Sequence, residues 1–509
     1  MGSIDPERTP VVLATGQSIE RDEMLRALDL AERAAESALS QVPALRDRIQ
    51  RLSLVNILSR VGPAPASLLA RRLGLAPERA EVTTIGGNSP QTLVNKAASA
   101  IAAGKLQATL IVGGEAQRSS KLRRSQKHDP STQDASASPG SSDGGSLGDS
   151  PELPPDPITG DDRPGMSTAE MNAGLIAPVH IYPLFESVLA ARAGRTFAEQ
   201  RRFLGELMAR FTEVAAKHPF AWFPESATPA ELSDTGPDNR LVAEPYPKRM
   251  CAFLNVDQGA AVIVCSLAAA RDAGVEDQAV FCLSGADTTD VWFPAQRPDP
   301  GTSPAIAAAG AGALGAAGID IDDIAAFDLY SCFPCAVELG ANALGIALDD
   351  PRGLTVTGGL PYFGGPGNNY TLHAIATMVD QIRDSGQLGL VTGLGWYATK
   401  HSVGIYGPSA PDSGWRQADT DQAQAEIDAS EVELAEGLDA EQDALVVAST
   451  VIYGPDGTAT GAPLVARLRD GRHVAAALAP GEEAAQLAGR NLVGESVRVS
   501  GTPPKYRLA

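Results

Sequence analysis

The 509-residue chain has few cysteines: Cys251, Cys265, Cys282, Cys332 and Cys335, an odd number lying mostly in apolar, strand-like runs. That argues against a disulfide framework and for reduced core thiols in a cytoplasmic protein. Cys332-Phe-Pro-Cys335 has CxxC spacing, but without a second pair it reads as core, not as a metal or redox site. No apolar run reaches the roughly 18 residues a bilayer span needs. The longest, around residues 259–270, is broken by Ser266. Met1 to Arg8 lacks a basic region followed by an apolar stretch, so no signal peptide is expected. Positive charge is also short, with 41 Lys and Arg against 62 Asp and Glu and a formal charge of −21. Such a surface repels phosphate backbones. Nucleic acid and anionic membranes are therefore poor partners, and an anionic ligand needs a local basic spot.

What the chain has is an ordinary globular balance, 43% hydrophobic and 20% charged with 51 glycines and 37 prolines. Its length suggests about two to four domains. Residues 10–15 are β-type. Residues 22–39 carry Leu25, Leu28, Leu30, Ala34 and Leu39 at helical spacing. Residues 52–58 suit a strand buried on both faces. Residues 65–73 read as a helix and 81–85 as a strand. Residues 89–103 form a small-residue helix that stops at Gly104, and 108–112 a further buried strand. Residues 82–91 are thus a buried strand-to-helix elbow, and it carries no cysteine or other strong nucleophile.

From residue 118 to about 163 the composition turns to Ser, Pro, Asp and Gly, and 131–155 is expected to be disordered. Helical signals return at 183–192 and 197–217, and the sheet pattern resumes at 250–266. The second half then repeats the first. Asp47-x-Ile49-x-x-Leu52-x-Leu54 recurs as Asp322-x-Ile324-x-x-Phe327-x-Leu329, and Leu110-Ile-Val-Gly113 recurs as Leu390-Val-Thr-Gly393 at nearly the same offset. Two matches in register argue for a duplicated α/β unit. Beyond Tyr406-Gly407-Pro408 an acidic stretch leads into β-type runs at 445–453, 463–469, 473–478 and 492–499. Gly-Pro-Asp-Gly and Asp-Gly-Arg turns divide them, which predicts a small all-β, OB-like barrel.

Over residues 8–407 the chain resembles the thiolase superfamily, and within it the sterol-carrier-protein-2-thiolase, acetyl-CoA acetyltransferase-like branch. The resemblance is carried by Thr84-Ile-Gly-Gly-Asn-Ser-Pro-Gln91, by Gly104 through Gly113-Gly114-Glu115-Ala116, and by Val256-Asp257-Gln258-Gly259-Ala260-Ala261. Asp328-Leu-Tyr-Ser-Cys-Phe333, Gly358-Gly359-Leu360 with Phe363-Gly-Gly-Pro-Gly367, and Gly393-Leu-Gly395 complete it. It implies an α/β protein with the duplicated, five-layer αβαβα thiolase fold. Its N-terminal half would be residues 1–117 and 245–270, with an inserted loop region at 118–244 that is partly disordered about 131–155. The C-terminal half would be 271–408, and the β-rich appendage 409–509.

Catalytic members of that family use four loops around one site. The C-G-S-G-L-Q pattern that carries the acyl-accepting cysteine falls on Gly86-Gly87-Asn88-Ser89-Pro90-Gln91, which puts glycine at the nucleophile's place. The H-D-C-F loop falls on Tyr330-Ser331-Cys332-Phe333, the G-H-P loop on Gly364-Gly365-Pro366, and the C-x-G loop on Gly393-Leu394-Gly395. Tyr330, Gly365 and Gly393 thus extend the departure from the family pattern to all four loops. Acid–base steps of this kind contribute about 10² to 10⁴ each, so ordinary thiolase activity is not expected.

Tyr330, His401 and His373 remain as substitute catalytic candidates; the alternatives are a tyrosine capping a buried strand, a solvated Lys400-His401 pair on a strand or turn, and a packed helix residue, respectively. A ligand would meet Asn88, Ser89, Gly364, Gly365, Gly393 and Gly395. Arg118 and Lys121 head the one dense basic cluster, which either meets the phosphates of CoA or solubilises a loop. The resemblance implies CoA or an acyl-CoA thioester as ligand, with no tightly bound cofactor and no metal. Two functions follow: an acyl-CoA enzyme with altered chemistry, or a non-catalytic binding protein or scaffold that meets a protein partner through the C-terminal domain.

Overall fold

A computed structural model describes residues 4–59, 61–127 and 153–509; the disorder expected at 131–155 falls, up to residue 152, outside the described residues. Ten strands form one sheet in the order Ile324–Asp328, Leu388–Gly395, Lys400–Gly407, Val280–Thr289, Pro10–Ile19, Asp257–Ser266, Ala108–Ala116, Arg51–Leu54, Arg79–Thr83 and Ile158–Thr159. Arg416–Gln417 adds a short parallel pairing to Val280–Thr289. Among the described residues the two halves of the sheet pair only where Val11 and Val12 meet Phe281 and Val280, while the middle helices pack across both halves. Helices Ala27–Gln41 and Pro65–Arg72 cover the outer face of the first half, and Pro304–Ala317 with Pro334–Leu344 covers that of the second. Ser89–Ala102 and Tyr370–Ser385 lie between them. This is the five-layer αβαβα order of a thiolase fold.

The strands of the first half are apolar on both faces because helices lie on both sides, and Ala108–Ala116 and Asp257–Ser266 are buried throughout. The middle helix Ser89–Ala102 is buried on most sides, so its polar residues need partners inside. The Nε2 of Gln91 donates to the Oδ1 of Asn95 (2.9 Å), and the Tyr406 hydroxyl donates to the Oε1 of Gln91 (2.8 Å). Glycine in the facing strands makes room: a Cβ at Gly404 or Gly285 would overlap the amides of Gln91 and Asn95. The strand expected at 52–58 ends at Leu54. Beyond it the N–H groups of Leu58 and Ser59 turn inward to donate to the buried Glu115 carboxylate.

Arg79–Thr83, which leads into the elbow, does not form the sheet edge. Ile158–Thr159 of the loop region pairs beside it in parallel, with the N–H of Val82 donating to Pro157 and that of Thr84 to Thr159 (both 2.9 Å). Asp156, just before this cover, accepts from the N–H groups of Ala66 (2.6 Å) and Ser67 (3.1 Å) and so also caps the helix Pro65–Arg72.

At the C-terminus, Leu438–Ser449, Leu464–Leu468, His473–Leu478, Lys505–Leu508 and Ser496–Gly501 close into a barrel with its own core. Ahead of it the helix Asp421–Ala429 packs on the main sheet, where Gln424 exchanges hydrogen bonds with the backbone of Thr289. The barrel docks on the loop region through Ser187, whose hydroxyl accepts from Ser449 N–H, and through Glu244, which accepts from Tyr453 and the N–H of Gly489.

Candidate functional site

The elbow is held from two sides. Toward the helix Tyr370–Ser385, the N–H of Gly86 donates to the Oδ1 of Asn368 (2.9 Å), and the Thr371 hydroxyl donates to the Gly87 carbonyl (2.6 Å). From the other side, Lys400 donates from Nζ to the carbonyls of Ile85 (2.7 Å) and Asp161 (3.0 Å). Burial lowers the pKa of the Lys400 ammonium, opposed by the nearby Asp161.

The space that side chains would need at the glycine loops is already taken. A Cβ on Gly86 would overlap the Oδ1 of Asn88 and lie 3.5 Å from the Cε and Nζ of Lys400. One on Gly87 would overlap the Tyr330 hydroxyl and lie 2.6 Å from the Leu394 carbonyl oxygen, and one on Gly393 would lie 2.9 Å from the Cα of Asn88. One on Gly395 would overlap the Oδ1 of Asn88 as well. At the third loop, Gly364 faces the Oε1 of Gln258 (2.5 Å from its would-be Cβ) and Gly365 faces the Cδ2 of Leu254 (3.1 Å). Between Tyr330, Gly393 and His401 only about 10 Å³ is left, too little for a substrate. Burial pushes the Tyr330 phenol well above its ordinary pKa, and its ring stands edge-on to Tyr370 at 5.5 Å.

The room lies beside the elbow. A cavity of about 530 Å³ is bounded by the start of the helix Ser89–Ala102, residues 159–163, the strand ends at 287–292 and 400–401, and the helix Asp421–Ala429. Register places Lys400 and His401 there: they pair with Gly395 and Leu394 across a hairpin. Its turn residues Trp396 and Ala398 adopt φ of 55° and 51°. Tyr182 fixes this uncommon turn, its hydroxyl donating to Trp396 O (3.0 Å) and accepting from Ala398 N–H (3.1 Å).

His401 is 3% exposed. Its Nε2 faces two acceptors, the Oδ2 of Asp290 (3.1 Å) and the Ala398 carbonyl (3.0 Å). In the neutral ring the proton therefore sits on Nε2, and Nδ1 carries the lone pair. Asp290 is itself held by the Ser303 hydroxyl (2.5 Å) and the Ala305 N–H (3.1 Å). Burial pushes the Asp290 carboxyl up, but the hydrogen bonds from His401 and Ser303 and the charge of Arg297 outweigh it and hold the pKa below the ordinary value. A carboxylate that orients an imidazole in this way sets up a hydrogen-bond or proton acceptor.

The structure therefore brings Asn88, Ser89 and His401 of the expected set to one cavity, and Tyr330, Gly393 and His401 to a second, very small one. His373 stands apart from both. It is fully buried in the helix Tyr370–Ser385, its Nδ1 bonded to the Oε1 of Gln17 (2.7 Å) and its ring 5.0 Å from Phe363, and burial pushes its pKa down to about 3. Arg118 pairs with the buried Asp257 (3.2 Å), while Lys121 is exposed on the helix Gln117–Lys127. All five cysteines are buried and free, and burial pushes Cys251, Cys265 and Cys332 to about 12. Sequence reasoning missed Asp290 as the partner of His401, and Asp161, Arg163 and Asp287 as cavity wall. The run Asp287-Thr-Thr-Asp290 at a strand end was the available signal.

The layers, the elbow and the fused barrel define a thiolase-fold protein with an added all-β domain. Over 99% of its length and 100% of the other chain, it is 33% identical to a monomeric SCP2-thiolase-like protein type 1 from Mycobacterium smegmatis, with a TM-score of 0.82. The chain belongs to the SCP2-thiolase-like family. The fold alone recurs in an Ltp2-ChsH2(DUF35) aldolase, with TM-score 0.59 and 18% identity over 79% of this chain and 98% of that one. It recurs again in the acetyl-CoA acetyltransferase from Syntrophomonas wolfei, with TM-score 0.55 and 16% identity over 79% and 99%. No protein-family model and no curated protein sequence matches the chain.

Proposed function

We propose that the chain is a cytoplasmic acyl-CoA-binding protein that does not turn its ligand over by thiolase chemistry. The observation behind this reading is the filled elbow. The volume a nucleophile's side chain needs at Gly86 is occupied by Asn88 and approached by Lys400, so a thioester there meets an amide and an ammonium. Such groups hold a carbonyl but do not form an acyl-enzyme. The thioester end would lie against Asn88 and Ser89 in the cavity beside the elbow, and the exposed Lys121 with Arg118 would meet phosphate. Calorimetric titration with acetyl-CoA and long-chain acyl-CoA, beside a thiolysis and condensation assay, tests it. Saturable binding without turnover supports the proposal. Turnover that is lost in His401→Gln or Tyr330→Phe would replace it with an acyl-CoA enzyme.

A second reading rests on the barrel. The aldolase of like fold is named Ltp2-ChsH2(DUF35), a name that joins two components. In the present chain a barrel is fused and docked through Ser187 and Glu244, and its outer face would serve a partner. The absence of heat with any CoA ester, together with a partner lost on removing residues 438–509, would favour this scaffold role.

A further inference from the structure

The cavity beside the elbow is more than the margin of a filled thiolase site. Its carboxylates are already engaged. Asp161 accepts from Arg163, and Asp290 from His401 and Ser303. Asp287 accepts from Thr92, Ser402, Asn95 and Gln417. Asp428 accepts from Gln424, and Glu431 from Gln296. The cations are less committed. Lys400 uses two of its three N–H bonds on backbone carbonyls, and Lys96 makes one long contact, 3.5 Å, to the Thr159 hydroxyl. Arg163 lies flat on Trp292, its Cζ 3.7 Å from the ring centroid, which holds this wall in place. His401, nearly buried, also lines this space, and its Nδ1 has no hydrogen-bond partner among the described residues.

We propose that this cavity is a binding site for a small hydroxylated carboxylate. Its anionic group would sit on the free N–H of Lys400 with Lys96 nearby, and one of its hydroxyls would donate to the Nδ1 of His401. A volume of about 530 Å³ lies within the usual range for small-molecule sites and far exceeds what a bare acetate-sized anion fills. The free donors are cationic and the free buried acceptor is neutral. That pairing selects a molecule with both an anion and hydroxyl donors over one that has only either. The proposal does not rest on CoA binding, since it needs neither the glycine loops nor the basic helix.

The test titrates the full-length protein calorimetrically with gluconate. Sorbitol, with the hydroxyls but no anion, and butyrate, with the anion but no hydroxyls, are the two controls. Gluconate should bind with a Kd below about 1 mM, and each control at least about tenfold more weakly. Lys400→Met should weaken gluconate at least about tenfold. The wild-type protein gives an independent readout. Among the six histidines, the ¹⁵N Nδ1 resonance that disappears in His401→Gln should shift when gluconate is added. No saturable binding, equal affinity for butyrate, or binding that leaves this resonance unmoved overturns the proposal. Acetyl-CoA titrated in parallel separates the readings: CoA binding that persists without a gluconate response refutes only this site, and the reverse refutes only the CoA reading.

Discussion

Restoring a cysteine at Gly86 is the most direct test of the filled elbow. A Cβ there overlaps the Oδ1 of Asn88 while Lys400 lies at an ordinary 3.5 Å, so Asn88 has to yield. Turning it away breaks the bond from its Nδ2 to the Oγ1 of Thr92 (3.2 Å). That bond is worth about 0.5–1.5 kcal/mol, and crowding a filled site costs about 1–3 kcal/mol. Gly86→Cys should therefore destabilise by about 2–3 kcal/mol in urea unfolding. Asn88→Ala should cost about 1 kcal/mol alone. In the double variant the side-chain obstacle is gone while the strain of a side chain at a φ of 157° stays, and a favourable coupling of about 1–2 kcal/mol is expected. The new thiol, beside the Lys400 ammonium, should react with Ellman's reagent well ahead of the buried native thiols. Acetyl transfer should stay at background, because Gly365 supplies no base and that step alone accounts for about 10²–10⁴ in rate. A Gly86→Cys protein as stable as the parent, with no coupling to Asn88, would refute the steric argument. One that turns over acetoacetyl-CoA would refute the claim that the whole site has changed.

At Gly87 the obstruction is backbone, since a Cβ meets the Leu394 oxygen at 2.6 Å as well as the Tyr330 hydroxyl. Gly87→Ala should cost about 3 kcal/mol, and adding Tyr330→Phe should recover only part of it in the same unfolding assay. Asp156→Ala removes two backbone hydrogen bonds at the start of the helix Pro65–Arg72 and should cost about 1–2 kcal/mol. It also loosens the cover over the strand Arg79–Thr83, so light scattering should show concentration-dependent association. Glu186 and Glu338 are buried against each other among Gln200, Tyr246, Cys335 and Arg195, and burial raises both carboxyls, Glu338 well above the ordinary value. Folded values above the unfolded one of about 4.3 mean that their contribution is complete below that pH and is lost as pH rises through the folded values. Glu338→Gln should leave stability near pH 4.5 little changed. It should flatten the fall above that by up to about 1.4 kcal/mol per pH unit, read from melting curves between pH 4.5 and 8.5.

The fold was legible because its signals are local or repeated. The small-residue helix at 89–102, the duplicated strand pattern and the punctuated β-runs of the barrel each follow from periodicity and turns. The elbow glycines were equally plain. What could not be read was which groups occupy the space beside those glycines. The Oδ1 of Asn88 fills it through a rotamer fixed by Thr92, whose hydroxyl is committed to Asp287 nearly two hundred residues away. The pairing of His401 with Asp290 depends on the register of two strands, with His401 opposite Thr288, and no local pattern encodes that register. Nor did composition signal that the helix Asp421–Ala429 would close a wall beside the main sheet, since it lies in a stretch that stands out only as acidic.

These placements bear on how a catalytic fold changes use. Deleting a buried side chain leaves a cavity that costs roughly 24 cal/mol for each Å³ left unfilled. A thiolase elbow that simply lost its cysteine and histidine would thus be both inactive and less stable. Here each glycine is matched by an incoming neighbour: Asn88 and Lys400 at Gly86, Tyr330 at Gly87, Gln258 at Gly364 and Leu254 at Gly365. The compensation is spread over four segments of chain, so no single substitution reverses it. It also moves the chemistry. Lys400 reaches the elbow from the cavity side and lines that cavity with His401, so under the proposed reading a filled elbow would go with an ammonium and an oriented imidazole in the neighbouring cavity. If that link is causal, Lys400→Met will loosen the elbow as well as the cavity. Faster hydrogen exchange at Gly86 and Gly87 would then accompany the loss of gluconate binding, whereas exchange unchanged at the elbow would show the two to be independent.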